Sequence, residues 1–139
     1  MNILILNGPN LNFTGQRETE IYGQESFEQI LVEMQKHFQG FQIEVFQSNH
    51  EGYLIDKLHK FIIHDGIIIN AGALSHTSYA LHDALRLVTV PTVEVHMSNI
   101  FDREEFRRHS VLSAAADGVI AGFGKWSYFL AIEWIRLHS

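Results

Sequence analysis

The stretch Ile3-Leu4-Ile5-Leu6 contains no polar side chain, and four later runs of the chain are similarly short and mostly apolar. Such runs are typical of strands that are buried in a parallel sheet. The later runs are Phe41 to Phe46, Gly66 to Ile69, Thr92 to Val95 and Gly118 to Ala121. We therefore predict five strands.

Segments with helical spacing separate these strands. Apolar residues from Phe27 to Phe38 recur at i, i+3, i+4, i+7 and i+11, and Ser26 with Gln29 forms a capping-box pattern before them. Further stripes are Leu54, Leu58 and Ile62; Leu81, Ala84, Leu85 and Val88; and a last helix from Trp126 to Leu137. The last helix is apolar nearly all round, which indicates either a thick core or, more simply, oligomerisation.

This alternation predicts an α/β fold. The simplest arrangement is a flavodoxin-like, doubly wound five-stranded parallel sheet, with strand order 2-1-3-4-5 and helices on both faces. The 139 residues contain no linker, repeat or low-complexity segment, so we expect one domain over residues 1–139.

The composition of the chain argues against several classes of partner and of chemistry. A formal charge of −6 argues against nucleic acid and anionic membranes as partners, and the lack of cysteine excludes disulfides and thiolate chemistry. No secretory signal and no apolar run of about 18 residues is present, so we expect a cytoplasmic protein. The histidines lack the spacing of common metal sites, and we expect no metal.

Polar residues follow the predicted strands at their carboxyl ends, where open α/β sheets bind ligands. Each group alone has an ordinary explanation in turn or capping chemistry. Together they predict a functional cleft. The groups are Asn7 to Asn12, Gln47 to Gly52, Asn70 to Ser78 and Glu94 to Asn99.

His96 is the strongest acid–base candidate among them. Glu94 lies two residues earlier, on the same side of the strand, and a carboxylate beside an imidazole raises its basicity. The alternative is a structural histidine. Arg103, Arg107 and Arg108 follow this loop and form either a solvated face or a clamp for a polar ligand.

The segment from Thr14 to Gly23 follows the first strand and has the composition of a lid. It contains Arg17 and Tyr22. A tyrosine is a poor base at neutral pH, but a neighbouring guanidinium favours its phenolate. We therefore interpret the segment as a chemically active lid.

These motifs together resemble type II 3-dehydroquinate dehydratase, in order and over essentially the whole chain. The matching segments are Asn7 to Asn12, Arg17 to Gly23, Gln47 to Gly52, Asn70 to Ser78, Val93 to Asn99 and Arg103 to Arg107. The sequence departs from the family pattern at Thr19, Leu74 and His82.

The resemblance implies a trans dehydration of 3-dehydroquinate to 3-dehydroshikimate in the shikimate pathway, without cofactor or Schiff base. The implied catalytic residues are Tyr22 as base, Arg17 beside it, Asn12 holding a water at the enolate, His96 as acid and Glu94 orienting it. The implied substrate-binding residues are Asn70, His76, Met97, Ser98 and Arg107, with Asp83 from a neighbouring subunit. The implied assembly is a dodecamer of trimers.

Two other functions remain open at this point. One is a flavin- or nucleotide-binding module, although no phosphate-loop motif is present. The other is a dehydratase that acts on another cyclic hydroxy-ketone, or the same reaction used in quinate breakdown.

Overall fold

The computed structural model describes residues 1–16, 20 and 23–139. Five strands form one parallel sheet in the order β2-β1-β3-β4-β5. The predicted fold class and strand order are therefore confirmed. The strands are β1 (Asn2–Asn7), β2 (Gln42–Gln47), β3 (Gly66–Asn70), β4 (Thr92–His96) and β5 (Gly118–Ala121).

Helices cover both faces of this sheet. Those with described bounds are α1 (Phe27–His37), α2 (Glu51–Leu58), α3 (Tyr79–Leu85) and α4 (Trp126–His138). One core cluster packs α1 and α4 against one face, and a second cluster packs α2 and α3 against the other. Among the described residues, no helix combines the length and the apolar character needed to cross a bilayer.

The burial of each strand explains its sequence. Strands β3 and β4 are buried at every position, and β1 at every position after its first residue, because the helix layers cover both of their faces. Strands β2 and β5 form the sheet edges and remain partly exposed. The continuous apolar runs therefore belong to the centre of the sheet.

Helix α1 begins at the predicted capping box. The Ser26 hydroxyl accepts from the Gln29 N–H at 3.2 Å, and the Gln29 side chain accepts from the Ser26 N–H at 2.8 Å. The predicted stripe through Ile62 was wrong. Helix α2 ends at Leu58 and the chain then turns into a 3₁₀ segment, which leaves Ile62 78% exposed.

Helix α4 places most of its surplus apolar surface in the core. Its buried side chains include Tyr128, Phe129, Ala131, Ile132 and Ile135. Trp126, Leu130 and Leu137 remain about half exposed or more. A thick core thus accounts for much of the pattern, and these three side chains form what remains of the predicted subunit surface.

Gly8 joins β1 to the loop at the carboxyl end of the sheet. Its N–H donates to the Asn70 carbonyl at 2.8 Å. A Cβ atom at this position would lie 2.2 Å from the Ala71 carbonyl oxygen, far inside van der Waals contact. The close approach of these two backbones therefore requires glycine.

We predict that Gly8→Ala lowers the free energy of unfolding by about 1–3 kcal/mol, because the added methyl group forces the two backbones apart. Gly52→Ala is the matched control, since no atom lies within 4 Å of a Cβ there. In helix α2 it should stabilise the protein by up to about 1 kcal/mol. Urea unfolding of both variants measures this, and equal effects would contradict the clash.

Candidate active site

A pocket of about 100 Å³ opens at the carboxyl ends of β3 and β4. It brings together the predicted residues Asn70, His76, His96, Met97, Ser98 and Arg107. It is also lined by residues that were not among the predicted site residues: Pro9, Asn10, Leu11, Gly72, Ala73, Ile100 and Arg103. The cleft predicted from the polar strand ends is therefore present as a cavity with a polar wall.

His96 and Glu94 form a buried pair at one side of the pocket. Both lie on β4 and point to the same side, because side chains two apart on a strand share a face. His96 Nε2 contacts a Glu94 carboxylate oxygen, and the carboxylate itself is 0% exposed. Since Nε2 faces Glu94, Nδ1 is the ring nitrogen left for a ligand.

The Glu94 carboxylate stays ionised in spite of its burial. Burial by itself would raise the pKa of Glu94. Hydrogen bonds from His96, Ser113 and Ser110, together with the charge of His96, outweigh burial and hold that pKa below its ordinary value. The Ser113 hydroxyl donates to the oxygen that does not face His96, at 2.7 Å. A buried anion thus stands behind the pocket imidazole.

His76 lies beside His96 but has a different hydrogen-bond partner. Its ring stacks on that of His96 with centroids 6.3 Å apart, and its Nδ1 donates to the His109 carbonyl at 2.8 Å. Burial, and then the charges of His96 and Arg107, lower the pKa of His76 below its ordinary value. A neutral ring with Nδ1 donating leaves Nε2 as an acceptor for a ligand hydroxyl.

Asn70 is oriented from the core beneath the pocket. Its side-chain amide donates to the Tyr128 hydroxyl at 2.7 Å, and its side-chain oxygen accepts from the Gly72 N–H at 3.3 Å. The Tyr128 hydroxyl donates in turn to Asn7 at 2.9 Å. Burial raises the pKa of Tyr128, so this phenol stays protonated and acts as a fixed hydrogen-bonding group.

The arginines form the outer wall of the pocket. Arg107 donates through Nε to Glu104 at 2.7 Å, and its guanidinium lies 4.8 Å from the centre of the Phe106 ring. Arg103 donates to the Ser98 hydroxyl at 3.3 Å. The Arg107 guanidinium lies on the pocket wall, where such a group can donate to hydroxyl or carboxylate oxygens.

Asn12 does not line this pocket, contrary to expectation. It lies in the 3₁₀ turn Leu11–Phe13 and borders a separate groove, where its side-chain oxygen accepts from Gln47 at 3.4 Å. The asparagine at the pocket is Asn10, whose φ of 70° is tolerated better by asparagine than by most residues. Asn10 thus lines the pocket and Asn12 borders the separate groove, and the role given to Asn12 stays a prediction.

One further predicted residue, Asp83, lies apart from the pocket. Asp83 is on α3, where His82 contacts it at 3.3 Å and its side chain is 83% exposed. Its entry into a neighbouring subunit's pocket stays a prediction. Arg17 and Tyr22 lie outside the described residues, so their roles stay predictions as well.

Neither a lysine nor a metal cluster belongs to the described part of the site. Among the described residues that line the pocket, none is a lysine. Lys57 pairs with Glu44, and Lys125 pairs with Glu25 and Glu33. Within residues 1–16, 20 and 23–139, no group of three or more His, Asp or Glu side chains lies close enough to bind a metal ion.

Sequence reasoning missed the residues that support the site from a distance. Arg103 was weighed as a clamp but not chosen, although it shares a motif with Arg107. Ser113 contacts Glu94 from 19 residues away and Tyr128 contacts Asn70 from 58 residues away. No local pattern indicates such contacts, because the fold alone brings these residues together.

A doubly wound sheet with a buried carboxylate–imidazole pair beside a polar pocket at its ligand-binding edge is typical of α/β proteins that bind small polar molecules. Comparison with known proteins makes this specific. The family model "Dehydroquinase class II" matches residues 1–136. This chain therefore belongs to the class II dehydroquinase family.

Individual relatives cover nearly the whole chain. The chain is 52% identical over 134 residues to a 3-dehydroquinate dehydratase of Caldicellulosiruptor bescii, covering 94% of this chain and 92% of that protein. It is 51% identical over 138 residues to that of Thermotoga maritima, covering 98% and 95%. The crystal structure of type II dehydroquinase from Butyrivibrio crossotus superimposes with a TM-score of 0.94 at 45% identity, covering 98% and 97%.

The low pKa of Glu94 predicts how stability depends on pH. A carboxyl whose pKa is lower in the folded than in the unfolded chain stabilises the fold above about pH 4.5, the unfolded value. That contribution is lost as the pH falls through the folded pKa. We therefore expect the free energy of unfolding to fall more steeply between about pH 5 and pH 3 in the parent than in Glu94→Gln.

Urea unfolding at a series of pH values measures both curves. The other carboxylates are unchanged in the variant, so the difference between the two curves reports the titration of the Glu94–His96 pair. Parallel curves would show that Glu94 is not the stabilised anion described above.

Proposed function

We propose that this protein is a class II 3-dehydroquinate dehydratase, a lyase that removes water from 3-dehydroquinate to give 3-dehydroshikimate in the shikimate pathway. The observation that supports this most directly is the buried Glu94–His96 pair at a polar pocket in a chain of this family. The reaction needs a proton donor for a departing hydroxyl, and this pair supplies one.

The first half of the reaction removes a proton from C2, next to the C3 ketone. We assign this step to Tyr22 as phenolate, with Arg17 favouring its ionised form, on the strength of their motif. The electrons move onto the ketone oxygen as an enolate. An amide and main-chain groups at the 8–12 loop suit its stabilisation, and Asn10 is the amide of that loop that lines the pocket.

The second half expels the C1 hydroxyl. The enolate re-forms the ketone, its C2=C3 electron pair forms the C1=C2 double bond, the C1–O bond breaks, and His96 delivers the proton that turns the departing hydroxide into water. The Glu94 carboxylate behind it favours the protonated imidazole until that moment. We assign the transfer to Nδ1, because Nε2 faces Glu94.

The remaining pocket residues suit recognition of the ring. Neutral His76 offers an acceptor and Arg107 offers donors to hydroxyl groups. Asn70 and the N–H groups of Met97 and Ser98 suit the substrate carboxylate, which the positive wall also attracts. No cofactor enters this scheme.

The comparisons do not favour a flavin- or nucleotide-binding module, nor a role in quinate breakdown. A pocket of about 100 Å³ also suits a single small ring better than a dinucleotide. The cytoplasmic location expected from the sequence stays a prediction.

The decisive experiment incubates the purified protein with 3-dehydroquinate and follows the ultraviolet absorbance of the conjugated enone product. We predict turnover that Tyr22→Phe abolishes while the circular dichroism spectrum stays unchanged. The phenolate is the proposed base, and general base catalysis alone contributes about 10²–10⁴-fold.

Tyr53→Phe serves as the control, since Tyr53 is exposed on α2 and does not line the pocket. It should keep the parent rate. Activity of Tyr22→Phe within about tenfold of the parent would rule out its role as base. Inactivation by borohydride in the presence of substrate would instead indicate a Schiff base on a lysine.

We also predict a symmetric oligomer larger than a dimer, with the proposed dodecamer of trimers as the family assembly and Asp83 near a subunit boundary. The exposed Trp126, Leu130 and Leu137 on α4 support association through an apolar surface. Analytical ultracentrifugation at micromolar concentration measures the mass. A monomer under those conditions would contradict the prediction.

A further inference from the structure

One short segment, from His109 to Ser113, contacts one pocket histidine, His76, directly and reaches the other, His96, through Glu94. Its His109 carbonyl accepts from His76 Nδ1 at 2.8 Å. Its Ser113 hydroxyl donates to Glu94 at 2.7 Å, and Glu94 contacts His96. Neither Ser113 nor Glu94 lines the pocket itself, so this segment acts on the site from behind.

The segment is held firmly to the body of the protein. The Val111 N–H donates to the Ser75 carbonyl at 2.7 Å, and the Leu112 side chain is 0% exposed in the core cluster that includes α2 and α3. The Leu112 N–H also donates to the Ser110 hydroxyl at 3.1 Å. The hydroxyl groups of Ser110 and Ser113 therefore have fixed positions relative to β4.

We propose that Ser113, assisted by Ser110, is a positioning residue for His96: its hydroxyl fixes the Glu94 carboxylate so that the proton shared by the pair stays on the imidazole. The proposal rests on the proposed function for the role of His96. It adds Ser113, from a different part of the chain, to the Glu94–His96 pair.

The physical reason lies in the burial of the carboxylate. A fully buried carboxylate oxygen without a hydrogen-bond donor is strongly destabilised. Here one oxygen faces His96 and the other accepts from Ser113, so both are satisfied. Without the Ser113 hydroxyl, the second oxygen loses its donor at 2.7 Å, and of the two serines only Ser110 remains to stabilise the charge. The destabilised Glu94 carboxylate then loses its charge by taking the proton from His96 Nε2.

The electrostatic surroundings agree with this assignment. Burial works to raise the pKa of Glu94, and Ser113 and Ser110 are among the groups that hold it down. The other titratable groups near the pair are His76, stacked on His96, and Arg107 beyond it. Neither donates a described hydrogen bond to Glu94, so neither replaces the serine hydroxyl.

The test compares Ser113→Ala with Ser113→Thr, which keeps the hydroxyl. With 3-dehydroquinate as substrate, Ser113→Ala should lower kcat by about tenfold to a hundredfold, the range for losing a hydrogen bond to a charged group. KM should stay within about twofold, because the pocket wall is unchanged. Ser113→Thr should recover most of the lost kcat.

Thr92→Val is the matched control. It removes a hydroxyl hydrogen bond at the opposite end of the same strand, where Thr92 donates to the Val90 carbonyl at 3.0 Å. It should reduce stability without lowering kcat. An equal loss of kcat in Thr92→Val and Ser113→Ala would overturn the proposal, because it would trace the effect to stability.

A second measurement does not depend on turnover. ¹⁵N NMR of the His96 ring, in protein without substrate, reports where the shared proton lies. In Ser113→Ala, Nε2 should shift toward the value of an unprotonated nitrogen, and Ser113→Thr should restore the parent value. An unchanged His96 signal would overturn the proposal. A parent protein that fails to convert 3-dehydroquinate would instead defeat the proposed function, and the NMR comparison would still decide the role of Ser113.

Discussion

The buried carboxylate of Glu94 is the constraint on which the site depends. An ionised group removed from water is stable only where its oxygens meet donors or positive charge. The protein meets this need from two directions: His96 on the same strand, and the serine hydroxyls of a later segment. The central position of β4 provides the burial. The 109–113 segment, which precedes β5 in the chain, provides the serine donors.

The same edge of the sheet is supported from below by a second polar network. Asn7 and Asn70 are neighbours across β1 and β3, and the Tyr128 hydroxyl of α4 lies between their side chains. A phenol in this position removes the freedom of the Asn70 amide to flip. The Asn70 side chain in the pocket is thus oriented by Tyr128, which lies on a helix that packs in the apolar core. A change in the packing of that helix would therefore also move Asn70.

How much of this could be predicted depends on the range of the interaction. The run Ile3 to Leu6 predicts a central strand correctly, because continuous apolar sequence reflects burial on both faces. The stripe through Ile62 failed, since periodicity does not indicate where a helix ends. Asn10 lines the pocket whereas Asn12 borders a neighbouring groove, and residue types do not indicate this because they do not show the conformation of a turn. The role of Asn12 stays a prediction. Ser113 was not predicted at all, since only tertiary structure brings it to Glu94.

The two pocket histidines illustrate how one fold gives identical side chains different chemistry. Their rings lie 6.3 Å apart, and two positive charges at that distance in a buried site would repel each other. The buried anion lies behind His96 and contacts its Nε2. His76 instead donates to a backbone carbonyl and faces positive neighbours, which keeps its ring neutral. The fold thus gives the two rings different partners, a buried carboxylate for His96 and a backbone carbonyl for His76, and the short segment after Arg108 contacts both the carboxylate and His76.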